Sequence, residues 1–409
     1  MLNVRLHGHV SASFGLADGA AATRRSLELA GCSVDCCDLR LSTHPSQGDP
    51  TARSGLSAAG LEIPSSGLIQ PGAPVHLDLV HTNPNVLAAT PGLLEISSLT
   101  APLRVGYWAW ELESFPEGWD QHFQHYDEIW CPSAYCAQSL AQRSPVPVIA
   151  LPHLPDWPRL DRLLTQRSEH HQGPEITGAP FRFLTLFDFW STPERKNPAG
   201  AITAFLRAFP AERQEPPVEL WIKSSSADQF PRQRAALEAL GGGDTRIRWI
   251  DGLLSRKALD ELFCSADALV SLHRAEGFGL NLADAMAIGL PVVATGYSAN
   301  LEFMPPGSAA LVPWHPGTIE QRCGDYPQGA TWAEPDLDEA AAALRQLVLN
   351  PAHRLALAAR GLTAARERLA GDRLVGIVRQ RLAQLLLQPS RRELLQDLAP
   401  EDPARLLCH

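Results

Sequence analysis

The chain lacks a C-x-x-C pair. Its eight cysteines, Cys32, Cys36, Cys37, Cys131, Cys136, Cys264, Cys323 and Cys408, are scattered, and no His/Cys spacing fits a zinc site. They read as reduced thiols of a cytoplasmic protein, mostly small buried side chains. No stretch approaches the roughly 18 uninterrupted apolar residues of a membrane span, and the N-terminal MLNVRLHGHVSAS has no signal-peptide apolar core. A basic excess is also missing. The formal net charge is −10, which argues against broad nucleic-acid binding, since that needs a basic face to displace phosphate counterions. There is no G-x-G-x-x-G after the first strand-like segment and no G-x-S-x-G elbow, so a dehydrogenase or an α/β-hydrolase is poorly supported.

What is present is an ordinary globular composition, 45% hydrophobic and 20% charged, over 409 residues. That length exceeds what one core usually supports, so two domains are expected. Residues 2–8 (LNVRLHG) alternate as a strand, a helix pattern runs from Leu16 to Ala30, and SVDCCDL (33–39) reads as a second strand. This order opens a parallel α/β sheet. Residues 42–74, rich in Ser, Gly and Pro, read as a long surface excursion. Segments 77–83, 103–110, 127–132 and 146–153 add strands. Proline, glycine and the polar run QRSEHHQG mark a linker over 156–180. A second α/β series follows over 181–365, and helices and a tail fill 366–409, with room to pack back on the first domain. Residues 1–155 then form the N-terminal Rossmann-like domain. Doubly wound domains bind ligands at the carboxyl ends of their strands, so the cleft between two of them is the expected site.

The chemistry concentrates in SLHRAEGFGLNLADAMAIGLPVVA (271–294). The stretch follows a buried strand and precedes a helix. Gly277 and Gly279 let the backbone approach a ligand closely. The free N–H groups at the helix start, near Gly279, Leu280 and Asn281, make an anion site that suits a diphosphate. Glu276 lies before the turn and Asp284 within the helix. Both could accept hydroxyl hydrogen bonds on either side of a bound diphosphate. Asp284 could equally be a helix-start acid that favours the positive helix end, worth under about 1 kcal/mol.

At these residues the sequence resembles the E-x7-E signature of the retaining nucleotide-sugar glycosyltransferases of family 4, with the GT-B fold. Further segments are similar in order and spacing: HTNP (81–84), GYWAWELESFPEGW (106–119), DEIWCPS (127–133), LPH (151–153), FDFWSTPERKNPAGAITAFLRAF (187–209), LDELFCSADALVSLHRAEGFGL (259–280) and TWAEPDLDEAAAALRQLV (331–348). The resemblance covers roughly residues 1–385. It implies two Rossmann-like domains facing across a cleft, and transfer of a hexose from a nucleotide diphosphate sugar with retention of configuration. Glu276 would bind a sugar hydroxyl and Asp284 the nucleotide ribose, while the backbone of Gly277, Phe278, Gly279 and Leu280 touches sugar and phosphates. Lys196, with Arg195, would neutralise the diphosphate and stabilise the leaving nucleotide, whose developing charge needs a positioned cation. Lys223 is a second candidate. On residues alone, Arg195-Lys196 also fits a solvated charge pair.

The sequence departs from that pattern at Asp284, which replaces a glutamate, and at Phe187-Asp188, where the family has Gly-Arg. On the acceptor side no clear histidine counterpart is found. Gly15, His81, Trp108, Glu111 and Glu113 are the candidates, with loop or structural roles as alternatives. Asp336-Leu337-Asp338 is a D-x-D that reads as a helix cap. No other His/Asp/Glu cluster suggests a metal, so no metal or cofactor is expected. The expected partners are the sugar donor and a glycan or lipid-linked acceptor, at a cytoplasmic location that includes the inner membrane face. No nucleic acid is expected. GDP-mannose is the first donor suggested, as in bacterial polysaccharide assembly, with UDP-glucose as the alternative. A degenerate binding module without transfer activity, or a phosphorylase or synthase on the same fold, are the rival readings.

Overall fold

The computed structural model describes residues 2–12, 15–41, 69–70, 72–172, 179–211 and 216–387. Most of the expected surface excursion at 42–74, part of the expected linker, and the tail beyond Leu387 lie outside them. Two compact units result. The first holds residues up to Trp110, Phe115–Pro155 and the chain from Leu369. The second holds Glu111–Ser114 and Asp156–Arg368.

The first unit begins β1 (Asn3–Gly8), α1 (Gly15–Leu29), β2 (Ser33–Asp38), β3 (Leu77–His81), α2 (Pro84–Ala89), β4 (Leu103–Tyr107), β5 (Glu128–Cys131), α3 (Ala134–Ala141) and β6 (Val148–Ala150). Its six strands pair in parallel in the order β2-β1-β3-β4-β5-β6. The central strands have one apolar face and a second that carries Arg5, His7, Asp78 and Arg104 beside Val80. Val4, Leu6, Leu77, Leu79, Val80 and Val105 are each fully buried, as a parallel sheet covered on both sides requires.

The second unit runs α4 (Trp157–Gln172), β7 (Phe181–Asp188), α5 (Pro193–Lys196), α6 (Pro198–Ala208), β8 (Val218–Ser225), α7 (Pro231–Leu240), β9 (Ile247–Ile250), α8 (Arg256–Ser265), β10 (Ala268–Ser271), α9 (Leu280–Ala287), β11 (Val292–Thr295), β12 (Ala310–Val312), the hairpin β13 (Trp314–Thr318) and β14 (Thr331–Pro335), α10 (Leu337–Leu349) and α11 (Pro351–Arg368). The main sheet is β12-β11-β10-β7-β8-β9, again parallel. Its core packs Phe183, Leu220, Ile222 and Val270 of the strands against Ile202, Phe205 and Phe209 on and just after α6. Each such side chain contributes roughly 1.5–3 kcal/mol by leaving water. Proline at the first turn starts α5, α6 and α7, where its missing N–H costs nothing. The last helix, α12 (Gly371–Leu387), is grouped with the first unit. There Arg381 donates to the fully buried Glu128 (Nε–Oε2 2.8 Å) and Arg379 to the carbonyl of Leu29.

Three expectations change. The stretch expected as a linker contains α4, a helix of the second unit, because Leu160 and Leu163 bury an apolar side that the proline-rich surroundings concealed. The hairpin β13–β14 was not expected, because Trp314–Thr318 contains proline and glycine and is mostly exposed. Glu111–Ser114 groups with the second unit rather than with the first. The seven described cysteines are free. No described helix is long and apolar enough to cross a membrane.

Candidate active site

In the second sheet β7 lies between β10 and β8, so the chain reverses its direction of growth at the β7/β10 boundary. The carboxyl ends of strands flanking such a switch point open a crevice. Both halves of the candidate site leave from these two strands. After β7 the chain turns through Thr192 (φ 62°), makes the single turn α5, and turns again through Asn197 (φ 54°). Left-handed backbone at two non-glycine residues costs energy, and such strain collects at functional sites. Asn197 offsets it. Its Oδ1 accepts from the Gly200 N–H (2.9 Å) and its Nδ2 donates to the carbonyl of Leu272 (2.8 Å). A Cβ on Gly200 would lie 2.5 Å from that amide, so the glycine is sterically required. The loop after β7 is thereby fixed to the segment after β10, where the Arg274 N–H donates to the carbonyl of Arg195 (2.7 Å).

These turns bring Lys196 and Arg195 to Glu276. The Lys196 ammonium donates to Glu276 Oε1, and Arg195 Nη1 lies 3.5 Å from Oε2. Burial alone would raise the Glu276 pKa, but Lys196 and Arg195, helped by His273, outweigh it and hold the carboxyl at about 2. Three residues that sequence reasoning missed support Glu276 from behind. Ser298, itself at φ 74°, accepts the Glu276 N–H on its hydroxyl (2.9 Å). The buried His273 shares a hydrogen bond with Asn300 Oδ1 (3.1 Å), whose Nδ2 donates to the carbonyl of Thr295. Nothing in the local spelling of GYSAN marks it as a support for residue 276. Only the parallel pairing of β10 with β11 does.

The turn ends at Gly279, in the left-handed region at φ 95°, and α9 begins without a side-chain cap. The N–H groups of Leu280 and Asn281 have no protein acceptor among the described residues, whereas those of Leu282 and Ala283 return to Gly279. Two unspent amides at a helix start, reached by the turn that follows Glu276, can hold an anion. Gly277 and Phe278 are buried, Phe278 packing on Phe303 at 5.3 Å between ring centroids. A ligand would therefore meet this turn through its backbone.

The other sequence candidates divide. Arg195 is 4% exposed. It donates to the carbonyls of Ala275 (2.9 Å) and Ser191 (3.2 Å) and lies 3.6 Å from Glu111. It braces the site and is not an open phosphate ligand. Glu111 also accepts from the Tyr326 hydroxyl (2.7 Å), and Glu113 from the Tyr297 hydroxyl (3.0 Å). Both glutamates are thus fastened inside the second unit. Tyr326 comes from the connection between β13 and β14, and its ring lies 5.9 Å from the Arg195 guanidinium carbon. Lys223 is 7% exposed and places two of its three protons on the carbonyls of Ser224 and Gly252, both at 2.7 Å. Asp188, which stands where a family arginine was expected, caps the turn through the Trp190 N–H (2.9 Å) and accepts from the Ser225 hydroxyl (2.8 Å). Asp284 sits on α9 and pairs with Arg159 at 2.7 Å.

In the first unit, Trp108 is a correction. It is fully buried among Trp119, Phe123 and Tyr126 and cannot meet an acceptor, because the chain leaving β4 turns its large ring into the core. His81 is 2% exposed and stacks on Tyr107 at 4.2 Å. Burial, reinforced by His153, pushes its pKa well below the usual value and keeps it neutral. Gly15 is exposed at the first position of α1. Asp336 caps α10, accepting from the N–H groups of Asp338 (2.9 Å) and Glu339 (3.1 Å). Among the described residues no group of three or more His, Cys, Asp or Glu could hold a metal.

Comparison with known proteins bears on the same residues. Residues 195–325 match the family described as Glycosyl transferases group 1. No curated protein matches in sequence. Among solved structures, the sucrose-phosphate synthase of Thermosynechococcus elongatus superposes with a TM-score of 0.61 at 14% identity, over 94% of this chain and 99% of that one. HepE of Anabaena, in complex with UDP-glucose, gives 0.62 at 13% identity, over 94% and 100%. The pneumococcal O-GlcNAc transferase GtfA, in complex with UDP and GlcNAc, gives 0.50 at 14% identity over 76% of this chain, which spans 57% of that protein's length. At these identities the likeness carries the fold alone, that of the GT-B glycosyltransferases with two Rossmann-like units. The chain therefore has the GT-B fold and carries, over residues 195–325, a glycosyl transferases group 1 domain that includes Lys196, Glu276 and Asp284.

Proposed function

We propose that the protein transfers a hexose from a nucleotide diphosphate sugar to a hydroxyl of a glycan or lipid-linked acceptor, with retention of configuration. The observation that carries this reading is the pairing of Lys196 with Glu276, together with the unspent amides of Leu280 and Asn281 after the turn that follows Glu276. The amides and Lys196 suit a diphosphate, and Glu276 suits a sugar hydroxyl next to it. In the transfer the acceptor oxygen bonds to the anomeric carbon as the bond from that carbon to the phosphate oxygen breaks. The hydroxyl proton passes to the departing phosphate. Charge on that phosphate is met by Lys196 and the amides, so the step asks for no metal.

UDP-glucose heads the donor panel, because HepE is described with it and GtfA with UDP. GDP-mannose, which the resemblance of residues 187–209 suggests, stands beside it. A cytoplasmic location and peripheral contact with the inner membrane face go with a lipid-linked acceptor. The test is turnover of the panel by purified protein with Lys196→Ala and Glu276→Ala in parallel. Loss of about 100-fold or more in both variants is expected, the scale of losing one charge-stabilising group. Unchanged turnover in both rejects the assignment. Tight UDP or GDP binding without transfer or hydrolysis, for any donor and acceptor, makes the protein a binding module instead.

A further inference from the structure

Arg159 lies on α4, in a stretch that no motif singles out. Its side chain is 9% exposed, and its guanidinium grips two acids of other helices. Nε and Nη2 hold Asp260 of α8 at 3.0 and 2.5 Å, while Nη1 holds Asp284 of α9 at 2.7 Å. The backbone N–H of Arg159 is in turn fixed by Asp156 (3.2 Å). Asp260 alone, held in the two-pronged manner, would neutralise the guanidinium. A second carboxylate leaves this mostly buried trio with a net negative charge. That is a poor arrangement for stability alone, because each buried charge carries a desolvation cost. Asp284 spends only Oδ2 on Arg159. Its Oδ1 has no donor among the described residues, and the side chain is 23% exposed.

From this geometry we infer that Arg159 is a positioning residue for the nucleotide. It fixes Asp284 by one carboxylate oxygen and leaves the other to accept a ribose hydroxyl. The inference rests on the donor reading above and adds a residue to it. A free aspartate would sample several rotamers and lose entropy on binding. One locked by a rigid planar fork has already lost it, which is the general gain of preorganisation. The arrangement also accounts for the shorter acid at 284, since the arginine holds it in one orientation.

The test is calorimetry of the full chain with UDP and GDP and with their 2′,3′-dideoxy forms. Wild type is expected to favour the ribonucleotide by about tenfold or more, the worth of a hydrogen bond to a charged acceptor. Arg159→Met should lower the ratio by about threefold or more, the cost of ordering one side chain on binding, and binding of the dideoxy form also reports that the variant is folded. Arg159→Lys keeps the charge but cannot hold two carboxylates at once, so an intermediate ratio is expected. If Arg159→Met does not fold, Arg159→Lys decides alone, and a ratio equal to wild type overturns the inference. An undiminished ratio in Arg159→Met overturns it as well. Wild type that binds nucleotide with no preference for the ribose overturns it while the donor reading stands. Wild type that binds neither UDP nor GDP removes both.

Discussion

Replacing Glu276 by glutamine keeps the shape of the side chain and removes its charge. The carboxyl is 7% exposed and held at about 2, against 4.5 for the free group. Burial opposes that shift, while Lys196, Arg195 and His273 produce it. The difference corresponds to about 3 kcal/mol, at about 1.4 kcal/mol for each tenfold change. A depressed carboxyl stabilises the fold fully above its unfolded pKa, here 4.5, and the contribution is lost as pH falls through the folded value near 2. Glu276→Gln should therefore melt roughly 6–12 °C below wild type at pH 7, at about 2–4 °C per kcal/mol for a unit of this size. Less than half of that gap should remain at about pH 3. Calorimetric melting at the two pH values reads it directly. A second readout follows from the charges. The amide removes one negative charge beside the anion site, so UDP affinity should hold or rise while turnover falls. A melting gap equal at both pH values, or UDP affinity lost in step with turnover, would refute the reasoning that a charged Glu276 balances Lys196 and Arg195.

Tyr326→Phe removes the hydroxyl that Glu111 accepts at 2.7 Å, and a loss of about 1.5–3 kcal/mol is expected from the denaturant midpoint. In the first unit, His7 of β1 pairs with Asp78 of β3 at 2.9 Å. Burial lowers the His7 pKa, but the bond to Asp78 and the neighbouring Cys37 outweigh it and raise it to about 9. That stability is fully present below 6.5 and is lost as pH rises through 9. Urea midpoints should thus fall across that window by the equivalent of about 3 kcal/mol, and His7→Gln should flatten the dependence. Asp336→Ala removes the α10 cap and should cost about 1 kcal/mol with unchanged donor turnover, whereas turnover lost on this substitution would point to the metal role of a D-x-D.

The six strands of the first sheet were legible in the sequence as apolar or alternating runs bounded by turn residues, whereas β12 (Ala310–Val312) of the second sheet was not expected. β3, expected over 77–83, spans Leu77–His81. The helix expected from Leu16 to Ala30 was legible from its apolar periodicity, and α1 spans Gly15–Leu29. Glu276, Gly277 and Gly279 stood out because a strand, a glycine turn and a helix start are contiguous in the chain. What these local signals could not carry was partnership. Whether Arg195 faces a ligand or braces a glutamate depends on Glu111, Ala275 and Ser191, which no sequence spacing brings to it. Trp108 looked available in GYWAWELE, yet the packing of Trp119, Phe123 and Tyr126 buries it. Arg159 sat in a segment read as linker, and its hold on Asp284 spans 125 residues of chain. The sequence by itself determined which segments form most of the strands, and so which loops border a ligand crevice, although expected ends such as 103–110 and 146–153 overran Leu103–Tyr107 and Val148–Ala150. The tertiary structure decided which charges meet there, because ion pairs form between loops that only the order of strands in the sheet makes neighbours.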